Sequence, residues 1–356
     1  MKSNINKDNT GRNYGVDLLR IVSMMLVTLL HVLGQGGILT GANPESANYK
    51  LAWFLETAAF CAANCYALIS GYVGVKSNHK YANIVTLTLE VMFYNLLIAL
   101  GFKYYMPDAL SEGVFFRACF PFVYNQYWYF TAYFCVFFFI PFMNKMLLSL
   151  SKGELKTLMA TIVFLFTLIP TVFSCDVFNL GWGYSSIWIG ALYLFGGCLR
   201  LLDFSSWSKG ICFIVYLGCV ILSWCNKFFF AFPKNAFLIN YISPTILIAA
   251  AALLLLFSKI NMGKISSAVT AFFAPLAFGV FLLHTHPLVW NNWLLNRYVS
   301  FAEYSPVKMA QAVFTATLAI WFVCSLADCV RNTVFKILHI KKMCILIENK
   351  IKTLLK

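Results

Sequence analysis

The sequence predicts an all-α integral membrane protein, a bundle of about ten transmembrane helices with both termini in the cytoplasm. Three observations predict it. The chain of 356 residues is 61% hydrophobic and only 11% charged, with a mean hydropathy of +0.76, too little charge to cover a soluble domain of this length. Apolar segments recur at the length a bilayer core demands, about 20 residues of helix. Lys and Arg are divided unevenly between the two sets of connecting loops.

In order, the predicted spans are 15–37, 50–73, 82–103, 127–147, 155–174, 183–202, 208–226, 238–258, 271–291 and 306–334. The first reads GVDLLRIVSMMLVTLLHVLGQGG; no small-residue cleavage site follows it, so it is expected to be a retained helix and not a signal peptide. The second carries Glu56 and Asn64, and the third carries Glu90 in mid-span. The longest connection, 104–126, contains VFFRACFPFVYNQ, apolar enough to predict a re-entrant or interfacial piece. The fourth span opens with QYWYFTAY and closes with IPFMN. The ninth contains FGVFLLHTHPLVW, where Pro287 weakens backbone hydrogen bonding around His284. Residues 1–14 form a short polar tail, 15–337 the membrane domain, and 338–356 a basic amphipathic tail expected to lie on anionic lipid. No long polar stretch suggests a second, soluble domain.

An even number of spans places both termini on one side. With that side cytoplasmic, it holds 19 Lys and Arg against seven on the other, Arg20 set aside, as the positive-inside rule requires. The net charge of +14 therefore belongs to loops and tail beside the bilayer, and nucleic acid is not an expected partner. The twelve cysteines show neither CxxC pairs nor Cys/His clusters at zinc spacing, so they read as packing residues and no metal is expected.

A charge within a bilayer costs several kcal/mol unless it finds a partner or a polar cavity. Arg20 and His31 are eleven residues apart, three helical turns plus about 20°, so they share one helix face about 16 Å apart along the axis. Asp17 lies at i−3 from Arg20 and can pair with it. Glu56 is expected at a depth similar to that of His31, and could orient its ring. His284 and His286 fall in the same outer half, and Glu90 has no partner readable from the sequence. Each residue also has a structural reading. Arg20 can snorkel to headgroups, His31 can bond a neighbouring helix, and Tyr127 and Trp128 can belong to an aromatic belt.

The spacing and order of these residues resemble the integral-membrane acyltransferase family 3, whose members O-acylate sugars and other extracytoplasmic acceptors. Arg20, ten residues and then His31 match the hallmark of its first helix. ANCYALISGYVG supplies Asn64, Ser70, Gly71 and Tyr72, the fourth span supplies Tyr127, Trp128, Pro141 and Asn144, FGVFLLHTHP supplies His284, and CSLADCVRNTVF supplies Asp328 and Arg331. The usual Tyr of the ninth-span motif is Phe281, and the basic run after the second span is reduced to Lys76, His79 and Lys80. The resemblance implies a multi-pass protein of a bacterial plasma membrane that takes acyl-CoA, usually acetyl-CoA, as donor and keeps no permanently bound cofactor. The acceptor implied is a hydroxyl of an extracytoplasmic sugar or polysaccharide. His31 would be the catalytic base or nucleophile, with Glu56 or His284 assisting. Arg20, Lys76, Lys80 and Ser70 would contact the donor, and Tyr127 and Trp128 the acceptor. The rival expectation is a transporter or exporter of a polysaccharide precursor or small metabolite, against which stands the lack of an internal two-fold repeat.

Overall fold

The computed structural model describes residues 12–229 and 238–354, all of whose regular elements are helical. Asn13 caps α1 (Tyr14–Leu33) by accepting the Val16 N–H at 3.1 Å. A turn through Gly37, whose φ of 90° suits glycine, leads to the single turn α2 (Ile38–Gly41). The second span is broken once, at Phe60–Cys61, into α3 (Ala47–Ala59), capped by Ser46, and α4 (Ala62–Gly74). The third is one continuous helix, α5 (Tyr81–Tyr105). The connection after it holds α6 (Val114–Cys119), packed against the end of α5 with the Lys103 ammonium 5.6 Å from the Phe115 ring centroid. That contact, with Phe116 and Phe120 exposed, fits the interfacial reading of this segment, not the re-entrant one.

The fourth span is α7 (Trp128–Ser149). The fifth begins with a capping box, Ser151 and Glu154 bonding each other's backbone N–H. Its helix, α8 (Lys152–Val163), loosens into a π turn over 164–168 before α9 (Ile169–Phe173), because Pro170 has no N–H and its ring displaces the carbonyl one turn back. Then come α10 (Ser186–Leu201), α11 (Lys209–Phe229), α12 (Pro244–Ser258), α13 (Lys264–Phe273), α14 (Ala277–His284), the short α15 (Pro287–Val289), α16 (Pro306–Ile337) and α17 (Ile340–Leu354).

Each predicted span thus contains a helix, and among the described residues eight stretches are long and apolar enough to cross a bilayer. The sixth and eighth are shorter than the sequence suggests. α10 and α12 have 16 and 15 residues, about 24 and 22 Å at 1.5 Å per residue, against about 30 Å of hydrocarbon. Gly181–Gly183 is a tight turn, and Pro244 sits in the first turn of α12, so neither helix extends further back. The ninth span also ends early, at His284 rather than 291, because Pro287 starts a new turn.

Successive spans run in alternating directions. At the near end, where α1 begins, Asn13 Nδ2 donates to Ser258 O at 2.9 Å and the Ala82 N–H donates to Glu348 Oε2 of α17 at 2.8 Å. At the far end, Asn48 Nδ2 donates to Ala302 O and Tyr304 O at 2.8 and 2.6 Å. The described cations that the sequence assigns to the cytoplasm lie at the near end; Lys2, Lys7, Lys234 and Lys356 lie outside the described residues, as does most of the predicted tail 1–14.

The centre is held by close helix crossings. A Cβ at Gly71 of α4 would collide with the Tyr193 carbonyl, and one at Gly196 of α10 with the Leu68 carbonyl. Such pairs let backbones touch where lipid supplies no hydrophobic drive between helices. Asn64 links α4 to its neighbours, donating to Tyr241 O at 2.7 Å and accepting from Trp188 Nε1 at 3.2 Å. Asn144 of α7 donates to Gly74 O and accepts from the Tyr193 hydroxyl.

Candidate active site

α1 carries both polar groups that the first span makes conspicuous, and the structure gives each a different surrounding. Arg20 pairs with Asp17, which is 3% exposed and also holds Arg12 at 2.5 Å. The buried carboxylate is therefore gripped from two sides. Around Arg20 lie Tyr66, whose hydroxyl donates to the Arg20 carbonyl at 2.6 Å, and Tyr133. Ser70 Oγ donates to Tyr66 O and also meets the Tyr133 hydroxyl. The Tyr129 ring sits 6.3 Å from that of Tyr66, and its buried hydroxyl has no hydrogen-bond partner among the described residues. A strip of tyrosine hydroxyls thus lies beside Arg20 in the protein interior.

Arg12 also lines a polar cavity of about 810 Å³ at the near end. Its other cations are Arg200, Lys259 and Lys264, against one carboxylate, Asp203. Arg200 stacks on the Tyr72 ring at 5.1 Å, and Lys259 donates to the Phe204 carbonyl at 2.5 Å. Lys76 and Lys80, the loop cations that the sequence singles out, are exposed on the 75–80 turn and are not among these lining residues. The cations that do line the cavity escape sequence reading because the N-terminal tail, the end of α10 and the turn between α12 and α13 each supply some of them. The one signal was Arg200, near the end of a span.

At the other end of α1, His31 meets His284. His31 Nδ1 lies 2.8 Å from His284 Nε2, and His284 Nδ1 lies 2.5 Å from the Val280 carbonyl oxygen. The partners fix the proton positions for neutral rings. A carbonyl only accepts, so His284 Nδ1 carries a proton and donates it. His284 Nε2 must then accept, and His31 Nδ1 donates to it. His31 Nε2 is left with a free lone pair. The Trp290 ring stands edge-on to His31 at 4.7 Å, and Gln35 secures Trp290 by donating to its carbonyl at 3.2 Å.

The third histidine of this layer is used differently. His286 is buried, and its Nδ1 accepts the Leu288 N–H at 3.2 Å as the cap of α15. Among the described residues, no three His, Cys, Asp or Glu side chains converge as a metal site would require. Glu56 is buried, its Oε2 has no hydrogen-bond partner among the described residues, and its neighbours include Tyr184 and Tyr241. The partner of His31 is thus His284, not Glu56.

Of the adjacent aromatic pair, Tyr127 is 2% exposed and its hydroxyl donates to the Leu282 carbonyl at 2.9 Å, bracing α14 just before His284. Trp128 stacks on Tyr241 at 5.9 Å and tilts against the exposed Tyr184 at 4.6 Å. The two neighbours in sequence point to different jobs, one inward and one toward the far end.

Glu90 also acquires its partner. Arg331 Nη2 lies 2.9 Å from Glu90 Oε1 and 2.7 Å from Asp328 Oδ2, and the Tyr94 hydroxyl donates to Asp328 Oδ1 at 2.7 Å. Asp328 is fully buried against Gly279 of α14, where any Cβ would collide with its carboxylate. This cluster ties α5, α14 and α16 together one and a half turns before His284 and fixes the height at which α14 presents its histidine.

Comparison with known families supports the reading that the motifs suggest. The family model described as an acyltransferase domain, that of acyltransferase family 3, matches residues 13–326. No curated protein and no solved structure matches the chain. The match covers most of the chain, which belongs to this family and is a multi-pass membrane protein.

Proposed function

We propose that this family 3 acyltransferase is a plasma-membrane O-acetyltransferase. It moves an acyl group, in the first instance acetyl, from acyl-CoA on the cytoplasmic side to a hydroxyl of a cell-surface sugar or polysaccharide. The observation that carries this reading is the chain Val280–His284–His31, which leaves a basic imidazole nitrogen on the same helix as Arg20. The near end is taken as cytoplasmic, because the excess of Lys and Arg lies there.

The cavity lined by Arg12, Arg200, Lys259 and Lys264 suits the phosphates of the donor. Arg20 and the tyrosine hydroxyls beside it suit the polar arm that joins the nucleotide to the thioester. At the far end of α1, His31 Nε2 takes the proton of the acceptor hydroxyl as its oxygen attacks the acyl carbonyl. The thiolate of CoA leaves, and the Nδ1–H bond to His284 steadies the imidazolium. In the covalent variant, Nε2 attacks the thioester carbonyl first and expels the CoA thiolate, and the acceptor hydroxyl then takes the acyl group from the imidazole. Trp128 and Tyr184 offer faces on which a sugar ring can stack. Purified protein given labelled acetyl-CoA tests the class. A transferase hydrolyses or transfers the label, whereas a transporter leaves the thioester intact, and an intact thioester sinks the proposal.

Two expected results follow from the two ends of α1. Arg20→Ala should weaken acyl-CoA binding about 10- to 100-fold, the worth of one charge-assisted hydrogen bond to the donor's polar arm. The variant should stay folded because Asp17 keeps Arg12 as its partner. Titration of folded variant with acyl-CoA decides it, and unchanged affinity removes Arg20 from the donor site. Reporters fused after residue 354 and within the 174–185 connection should report opposite sides of the membrane, the first cytoplasmic; the same side for both contradicts the alternation.

A further inference from the structure

An apolar cleft of about 570 Å³ lies between α5 and α16, with α14 and the turns after it as its floor. Its walls are set by the clamp described above. Tyr94, Glu90, Asp328 and Arg331 draw the deep parts of α5 and α16 together, and toward the far end the cleft lies between them. His284 is in its lining, and the aromatic side chains of Tyr105, Trp293 and Tyr298 line it at the far end. Along α16 the apolar lining runs from Ala319 to Ala327, about 12 Å of helix, so that it passes the height of His284 and continues below it toward Asp328. Ala319 and Ala327 are exposed on the lipid-facing flank, continuous with the exposed Leu318, Phe322 and Leu326. The cleft therefore opens sideways into the bilayer as well as toward the far end.

A water-soluble sugar reaching His31 from the far side has no use for an apolar trough that continues below the histidine and opens to lipid. A chain already in the bilayer can enter it without leaving hydrocarbon, with its polar head among the aromatic side chains at the far end. Resting on the transferase reading, we infer that the acceptor hydroxyl is carried on a lipid, and that one hydrocarbon chain of this lipid lies in the cleft while the head group is presented to the His31–His284 pair.

Photo-crosslinking in lipid nanodiscs tests this independently of turnover. The probe is a hexadecyl glycoside with a diazirine midway along its chain, in phosphatidylethanolamine and phosphatidylglycerol at about three to one. Labelling should saturate and map to peptides around 98–106 and 319–327. Gly101→Leu should cut it at least tenfold. No atom beyond its own helix lies within 4 Å of a Cβ built there, and leucine is the better helix former, so the change fills the cleft without straining α5. Ala319→Phe fills it from α16 and guards against a folding defect in either variant. Leu97→Phe, on the exposed side of α5 outside the lining, should leave labelling unchanged. Non-saturating label spread over the lipid-facing helices, or label indifferent to both filling variants, overturns the inference. Labelled acetyl-CoA given to the wild type judges the transferase reading separately, since an intact thioester there fails that reading whatever the crosslinks show.

Discussion

His31→Ala is expected to lower acyl transfer by about 10²- to 10⁴-fold, with little change in donor affinity. That is the usual contribution of a positioned general base, and Arg20, proposed to hold the donor's polar arm, lies about 16 Å away along α1 by helix rise. A complete block, with loss of any acyl label retained on the protein, assigns the covalent route instead. His31→Gln keeps a hydrogen-bonding side chain of similar reach but no nitrogen that accepts a proton at neutral pH. Near-normal transfer by His31→Gln would make the residue structural and refute the mechanism. His284→Ala removes the acceptor of the His31 Nδ1–H bond, so the ring loses its fixed tautomer. A smaller fall in kcat with KM held is expected there. A loss in His284→Ala as deep as in His31→Ala would exchange their roles.

The second large effect concerns the clamp. Arg331→Met should destabilise the protein by about 3–5 kcal/mol, the cost of leaving buried charge without its partner. Arg331 is 6% exposed, and its guanidinium makes bonds of 2.9 and 2.7 Å to Asp328 and contacts Glu90. Without it, two carboxylates remain buried together. Thermal unfolding in detergent, read beside the fraction of monodisperse protein, measures the loss. Adding Glu90→Gln and Asp328→Asn to Arg331→Met should recover part of it, because neutral side chains do not repel. Unchanged unfolding in the single variant would show that the cluster bears no load.

How much was legible from sequence differs between fold and site. The helices could be read because each buries its own backbone hydrogen bonds, so an apolar stretch of sufficient length is itself the element. The errors fall where a local residue ends a helix before the apolar run does. Pro244 and Pro287 are both in the sequence, yet hydropathy counts the apolar residues on either side of them and overlooks the missing N–H. Within α1, helix periodicity alone put Arg20 and His31 on one face and Asp17 within reach of Arg20, a pairing that the structure contains.

The sequence by itself therefore determined the class of protein, the path of most of the chain and the two polar groups of its first helix, since all three depend on contacts within a few turns. The tertiary structure decided the rest. His31 and His284 are 253 residues apart, and Glu90 and Arg331 are 241 apart. The cations of the near-end cavity come from the N-terminal tail, the end of α10 and the turn between α12 and α13. A histidine or a carboxylate in an apolar run announces that it needs a partner, because bare polarity in hydrocarbon is too costly to keep. Which partner it finds depends on which helices cross beside it and at what height, and those are set here by glycine contacts such as Gly71 with Tyr193 and Gly279 with Asp328.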